Sequence, residues 1–229
     1  MTPYYEQDGI VIYHGDCREV LPSLTSKSAC VITDPPYGIG FQSNAVRGRF
    51  EQVTGDHEIP TDWADFIRDC CVECARVYWF CGESGIGAVR EALSSRNFVL
   101  NRMLVWNKCA QTQGDLGDYG NQTEYIVTAS MWRGKPPLRG LRDGNLISVP
   151  RIDPRLLVHP CEKPNELMTY LILRATDHGE IVLDPFAGSG ATLFASRALG
   201  SRAIGIEIEE RWCERAALRC SQEVLGLVG

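Results

Sequence analysis

A doubly wound, mostly parallel α/β sheet with helices on both faces is the expected architecture of this chain. Short β-rich apolar runs alternate with stretches of helical periodicity, the pattern of a parallel sheet covered on each side. Four of those runs end in or just before an acidic residue, at Asp16, Asp34, Asp184 and Glu207. Ligands of open α/β sheets bind at the carboxyl ends of strands, so acids there mark a crevice. Finally, 229 residues with 44% hydrophobic and 23% charged content suffice for one sizeable core. No repeat, low-complexity tract or linker divides the chain, which is read as a single domain over residues 1–229.

The elements follow in order. "GIVIYHG" (9–15) is a strand, followed by a short helix over 17–24, and "ACVITD" (29–34) is the second strand. A polar loop containing Gly and Arg fills 38–60. Residues 61–76 have helical spacing and an N-cap candidate in Thr61 or Asp62. "VYWFCG" (77–82) is a strand and "SGIGAVREALSSR" a helix. The runs 98–108 and 123–130 form an antiparallel strand pair at one sheet edge, joined by a Gly-rich loop, and 131–155 is irregular and basic. A helix over 164–177 has Pro164 in its first turn. Strand, glycine turn and helix then succeed one another through 180–200, with Gly200 as the stop. "SRAIGIEIEE" is the last strand, and a helix closes the chain.

The net charge of -6 disfavours a generally nucleic-acid-binding surface, so a polyanion must be met by a local basic patch. Ten cysteines without a paired framework, a polar N-terminus and no membrane-length apolar run point to a reducing cytoplasm and no membrane. Cys71 and Cys74 have metal-like spacing but no second Cys/His pair, so no metal site is expected.

In "IVLDPFAGSGATLFASRAL", Gly188 and Gly190 let backbone pass close beneath a ligand at the start of a helix. Asp184 leads the turn, and the third glycine of a dinucleotide fingerprint is missing. Glu207 ends the next strand, where an acid can take both ribose hydroxyls of an adenosine-containing ligand. The alternative is a plain structural turn with a surface glutamate. Gly82, Gly85 and Gly87 also cluster, but without these acids they read as a helix entry.

"DPPY" (34–37) ends a buried strand on a carboxylate. An exocyclic amine of a nucleobase is a weak nucleophile because its lone pair is delocalised into the ring. A carboxylate from Asp34 and the carbonyl of Pro35, accepting the two N–H groups, would pull that nitrogen toward tetrahedral geometry. Pro35 and Pro36 stiffen the turn, and Tyr37 offers a face for an extruded base. A simple strand-ending turn is the competing reading.

With "YHGDCREVLPSL", "VYWFCG", "HPCEKPNELM" and "GIEIEERW", the motifs "DPPY" and "DPFAGSGAT" resemble the DNA amino-methyltransferases. The catalytic motif precedes the cofactor motif, as in the permuted β-class of that family. The resemblance implies a Rossmann-like methyltransferase sheet, S-adenosylmethionine as cofactor, double-stranded DNA as partner, base flipping and a place in restriction–modification. It implies catalytic roles for Asp34, Pro35, Pro36 and Tyr37. It implies cofactor contacts from Asp16, Lys163, Asp184, Pro185, Phe186, Ala187, Gly188, Ser189, Gly190 and Glu207. Asp16 would face the cofactor's adenine amine, Glu207 the ribose, and Lys163 with Pro164 would close the methionine pocket.

Aspartate at the head of the tetrapeptide favours N6 of adenine, with N4 of cytosine as the alternative. RNA or protein-glutamine methylation, or a non-catalytic DNA-binding module, fits less well. Residues 131–155 carry six basic against two acidic side chains and form a small DNA-contact insertion, with Arg133, Lys135, Arg139 and Arg142 foremost. Arg47 and Arg49 lie in a second candidate, an active-site flap. Both are short, which implies a short or relaxed recognition sequence, or a homodimer that completes the DNA surface.

Overall fold

The computed structural model describes residues 1–37, 60–110, 117, 119–131, 138–140 and 142–222. Within them lie ten strands in one sheet, ordered β1-β2-β10-β9-β3-β4-β7-β6-β8, with β5 also paired to β7. The central strands are β2 (Ile10–His14), β10 (Arg202–Glu207), β9 (Ile181–Asp184), β3 (Ser28–Thr33) and β4 (Cys71–Cys81), all mutually parallel. Every residue of β3 and β9 is buried, as expected where helices cover both faces and a strand reads as one apolar run. Each fully buried Val, Leu or Ile contributes about 1.5–3 kcal/mol.

The direction then reverses. β7 (Thr123–Ser130) runs antiparallel to β4, and β5 (Val99–Leu100) and β6 (Leu104–Asn107) run antiparallel to β7. β8 (Leu146–Ser148) lies parallel to β6 at one edge, and β1 (Tyr5–Gln7) lies antiparallel to β2 at the other. The expected antiparallel pair is therefore present on this side of the sheet, with β5 paired only to β7 at the edge and β8 added outside β6.

Helices α1 (Cys17–Val20), α2 (Ala64–Ile67), α3 (Ile86–Ser95), α4 (Asn165–Ala175), α5 (Ala191–Ala198) and α6 (Glu210–Ser221) complete the layers. α4 buries Leu167, Met168, Leu171 and Ile172, one stripe at helical spacing, against the sheet core. Cys213, Ala216 and Cys220 form the equivalent stripe of α6.

Four local expectations are corrected. The helix expected over 61–76 is only the single turn α2, and Cys71–Cys81 is an eleven-residue strand. Cys71 pairs with Ser28 of β3 and Arg76 with both β3 and β7, and these long-range pairings outweigh the local helical spacing. Cys71 is buried and Cys74 exposed, so the two thiols do not share a face. The strand expected over 98–108 is interrupted into β5 and β6. The irregular stretch 131–155 contains β8, and the polar N-terminus contains β1.

Candidate active site

The strand order reverses between β3 and β9, where one half of the sheet leads off to β4 and the other to β10. That switch point opens a crevice at the carboxyl edge. Asp34 follows β3 and Asp184 ends β9, and these strands are hydrogen-bonded neighbours, with Val31 opposite Leu183. Glu207 ends β10 opposite His14 of β2, so Asp16 emerges beside it. The four acids thus line one edge.

On the β9–β10 side, Gly188 and Gly190 both adopt left-handed backbone, with φ of +50° and +79°. The Glu207 carboxylate accepts the Gly188 amide at 2.9 Å and the Glu209 amide at 2.8 Å, one on each oxygen. Each carboxylate oxygen can accept more than one bond, so both retain capacity for a pair of hydroxyls. Burial raises the Glu207 pKa against those two amides. Asp184 caps the turn through the Phe186 amide at 3.1 Å, and burial pushes its carboxyl up to about 7. Pro185, Ala187 and Ser189 are buried, and Phe186 meets the Trp63 ring edge-on at 5.4 Å. This cradle, a tight glycine turn with a buried acid at its rim whose oxygens keep acceptor capacity, fits an adenosine-type cofactor.

His159 overhangs the cradle: a Cβ on Gly188 would lie 3.6 Å from its ring. Its Nδ1 accepts the Cys161 amide at 3.2 Å, which puts the proton of the neutral ring on Nε2. Burial, with the charges of Lys163 and Arg211, holds its pKa down at about 4. Asp16 caps α1 and is gripped by Arg18, with Nη2 to Oδ2 at 2.5 Å; that bond lowers its pKa.

On the β3–β4 side, the Asp34 side chain keeps 20% exposure to the crevice. Tyr37 donates its hydroxyl to Asp34 Oδ1 at 2.7 Å, and its ring lies 3.8 Å from where a Cβ on Gly82 would sit. Lys163, expected to close the cofactor pocket, sets its ammonium on Asp34 Oδ2 at 2.5 Å and 3.3 Å from Glu124 Oε2. Lys108 holds Glu124 Oε1 at 2.9 Å. Burial raises the Asp34 pKa, Lys163 opposes the rise and Glu124 adds to it. Burial also pushes Glu124 up, but Lys163 and Lys108 outweigh it and leave that pKa lowered. Burial disfavours the Lys163 charge, yet its two carboxylates keep it fully protonated.

Sequence reasoning missed Glu124 and Lys108. Their signal was weak but present: Glu124 stands two residues before Ile126, on the strand face that enters the core. An acid in that register is costly unless paired.

The basic stretch is divided between two edges. Residues before β8 lie at the amino edge, where Arg139 pairs with Asp177 at 2.7 Å, remote from Asp34; Arg142 also precedes β8 and is exposed. Residues after β8 emerge at the crevice edge, where the Arg151 amide bonds the Lys108 carbonyl at 3.0 Å. Arg47, Arg49, Arg133 and Lys135 lie outside the described residues.

Comparison with known proteins agrees with this geometry. A family model described as DNA methylase, for N6 and N4 methyltransferases, matches residues 29–218. The type II methyltransferase M2.DpnII of Streptococcus pneumoniae is 26% identical, covering 96% of this chain and 93% of its own. The putative methylase YubD of Escherichia coli strain K12 is 30% identical over 86% of this chain and 84% of its own. Among solved structures, the M1.HpyAVI–SAM complex superposes with a TM-score of 0.76 at 24% identity, covering 93% of this chain and all 100% of that one. The PvuII cytosine-N4-specific DNA methyltransferase gives 0.72 at 17% identity, covering 98% and 90%. These likenesses establish a shared sheet architecture.

Proposed function

The chain belongs to the N6/N4 DNA methylase family, and on that footing we propose that it methylates the N6 amine of an adenine flipped out of double-stranded DNA. The cofactor is S-adenosylmethionine, which supplies an electrophilic methyl group on a sulfonium. The observation that carries the reading is Asp34, a carboxylate at the end of β3, part-exposed in the crevice beside the β9–β10 cradle.

The residues divide the work. The Glu207 carboxylate would take the ribose hydroxyls, and the turn over residues 184–190 would hold the methionine portion. Asp16 serves the adenine end of the same ligand. Asp34 accepts one N–H of the target amine and the Pro35 carbonyl the other, which localises the nitrogen lone pair for attack. Asp34 would stabilise the positive charge that develops on the target nitrogen and accept the proton it sheds. Tyr37 stacks on the extruded base.

The preference for adenine rests on aspartate rather than serine at position 34. The sheet alone is neutral on this point, since a cytosine-N4-specific enzyme shares it. Mass analysis of nucleosides from methylated DNA tests the choice: N6-methyladenine is expected, and N4-methylcytosine alone would overturn it. Asp34→Ala is expected to retain cofactor binding by calorimetry while turnover disappears. Arg151, at the crevice edge, is our assignment for a phosphate contact, and a homodimer would extend that surface along the duplex. The working compartment is the cytoplasm, where such DNA is held.

A further inference from the structure

Two donors in the site each stand between the same pair of acceptors. Lys163 Nζ is 2.5 Å from Asp34 Oδ2 and 3.3 Å from Glu124 Oε2. The Tyr37 hydroxyl is 2.7 Å from Asp34 Oδ1 and 3.4 Å from that same Glu124 Oε2. Lys108 occupies the other oxygen of Glu124 at 2.9 Å, which fixes the carboxylate and leaves Oε2 facing the two donors. In this arrangement both oxygens of Asp34 are already engaged. A carboxylate whose charge is drawn off by a close ammonium pulls weakly on a neutral amine.

We propose that Glu124 is a positioning residue, a standing acceptor that takes Lys163 and the Tyr37 hydroxyl from Asp34 as the target amine arrives. The shift each donor must make is small, since the longer contacts are already 3.3 and 3.4 Å. The four charges of Lys108, Glu124, Lys163 and Asp34 sum to zero, so the handover changes no net charge in a half-buried site. Burying an unpaired lysine would be costly; Glu124 keeps it paired in both states. The lysine also packs over the Phe80 and Tyr37 rings, 5.2 and 5.7 Å from their centroids, which guides it along one path.

The inference rests on the methyl-transfer reading, and the experiment separates the two. Methylation of DNA from a methylation-deficient host is measured across pH for the wild type, Glu124→Gln and Glu124→Asp. Absence of turnover in the wild type would count against the methyl-transfer reading itself. With wild-type turnover present, Glu124→Gln is expected to bind cofactor unchanged and to lose kcat by about tenfold or more, the worth of one hydrogen bond to a charged group. The groups facing Asp34 are Tyr37 on its own loop, Cys81 at the end of β4, Glu124 on β7, Lys163 ahead of α4 and Asp184 on β9. Of these, Glu124 raises the Asp34 pKa by repulsion, so its neutralisation lets Asp34 ionise at lower pH. The acid limb of the rate profile is expected to move down accordingly. Glu124→Asp, which keeps the charge, is expected to keep the limb and recover part of kcat.

Unchanged kcat in Glu124→Gln, or a lower kcat with the limb unmoved, would overturn the proposal. Should that variant fail to fold, the charge-balanced pair Lys163→Met/Glu124→Gln is compared with Lys163→Met alone. With the lysine gone Glu124 has only the Tyr37 hydroxyl to receive, so the pair is expected to keep kcat within about threefold of Lys163→Met, and a further loss of about tenfold would overturn the handover.

Discussion

Replacing Gly190 by alanine perturbs the cofactor turn at its most constrained point. Gly190 adopts φ of +79°, and a left-handed backbone costs an L-residue about 1–2 kcal/mol. A Cβ there would also stand 2.8 Å from the Ala216 Cβ and 3.1 Å from its Cα, on the buried stripe of α6. Forcing one methyl into a packed contact costs about 1–3 kcal/mol. The expected loss is therefore about 2–5 kcal/mol, or roughly 4–20 °C of melting temperature for a chain of this size. Gly188→Ala is the internal control. Its φ is +50°, but its nearest neighbour is the His159 ring at 3.6 Å, so it should pay only the backbone cost of about 1–2 kcal/mol. The assay is denaturant unfolding of both variants, of Ala216→Gly and of Gly190→Ala/Ala216→Gly. Removing the Ala216 methyl should recover about 1 kcal/mol beyond additivity. If Gly190→Ala is no worse than Gly188→Ala, or the pair is strictly additive, the close approach of α6 to the turn is not what demands glycine.

Further outcomes follow from the electrostatics. Burial lifts the Asp184 carboxyl from 3.8 to about 7, so the folded state binds its proton more tightly than the unfolded chain. Stability therefore falls as pH rises from about 4 to 7, by up to about 4 kcal/mol, and Asp184→Asn should abolish that decline in urea titrations of the protein without cofactor. His159 is depressed from 6.5 to about 4, the opposite sign: its contribution is complete above pH 6.5 and lost as pH falls toward 4. Relative to the wild type, His159→Phe should therefore gain stability on acidification, by up to about 3 kcal/mol. Glu207→Ala removes the acceptor of the Gly188 and Glu209 amides, and calorimetry should register at least about tenfold weaker cofactor binding. Arg151→Ala should weaken binding to all DNA sequences alike and reduce the salt slope by about one, whereas an unchanged slope removes it from the phosphate contacts.

Much of the site was legible because its motifs are local. A strand that ends on an acid and turns into glycine or proline carries its own instructions. Asp34, Asp184 and Glu207 consequently lie at the carboxyl edge, at the strand ends where the sequence put them. The helices α3, α4, α5 and α6 were legible from apolar spacing for the same reason. Residues 71–76 misled because helical spacing there competes with strand pairing at its two ends, Cys71 to β3 and Arg76 to β3 and β7, and neither partner is adjacent in sequence.

What the chain determined alone is the set of parallel strands and the acids at their tips, since each strand, its turn and its capping helix are contiguous. Tertiary structure decided which other residues reach those acids. β7 runs against its neighbour, so it delivers its beginning, Glu124, to the edge where parallel strands deliver their ends. β8 likewise sends Arg151 to the crevice and Arg139 to the far edge. Lys163 reaches Asp34 across 129 residues of sequence. Strand direction and pairing order are long-range properties, set by how buried faces pack together, and no local pattern encodes them.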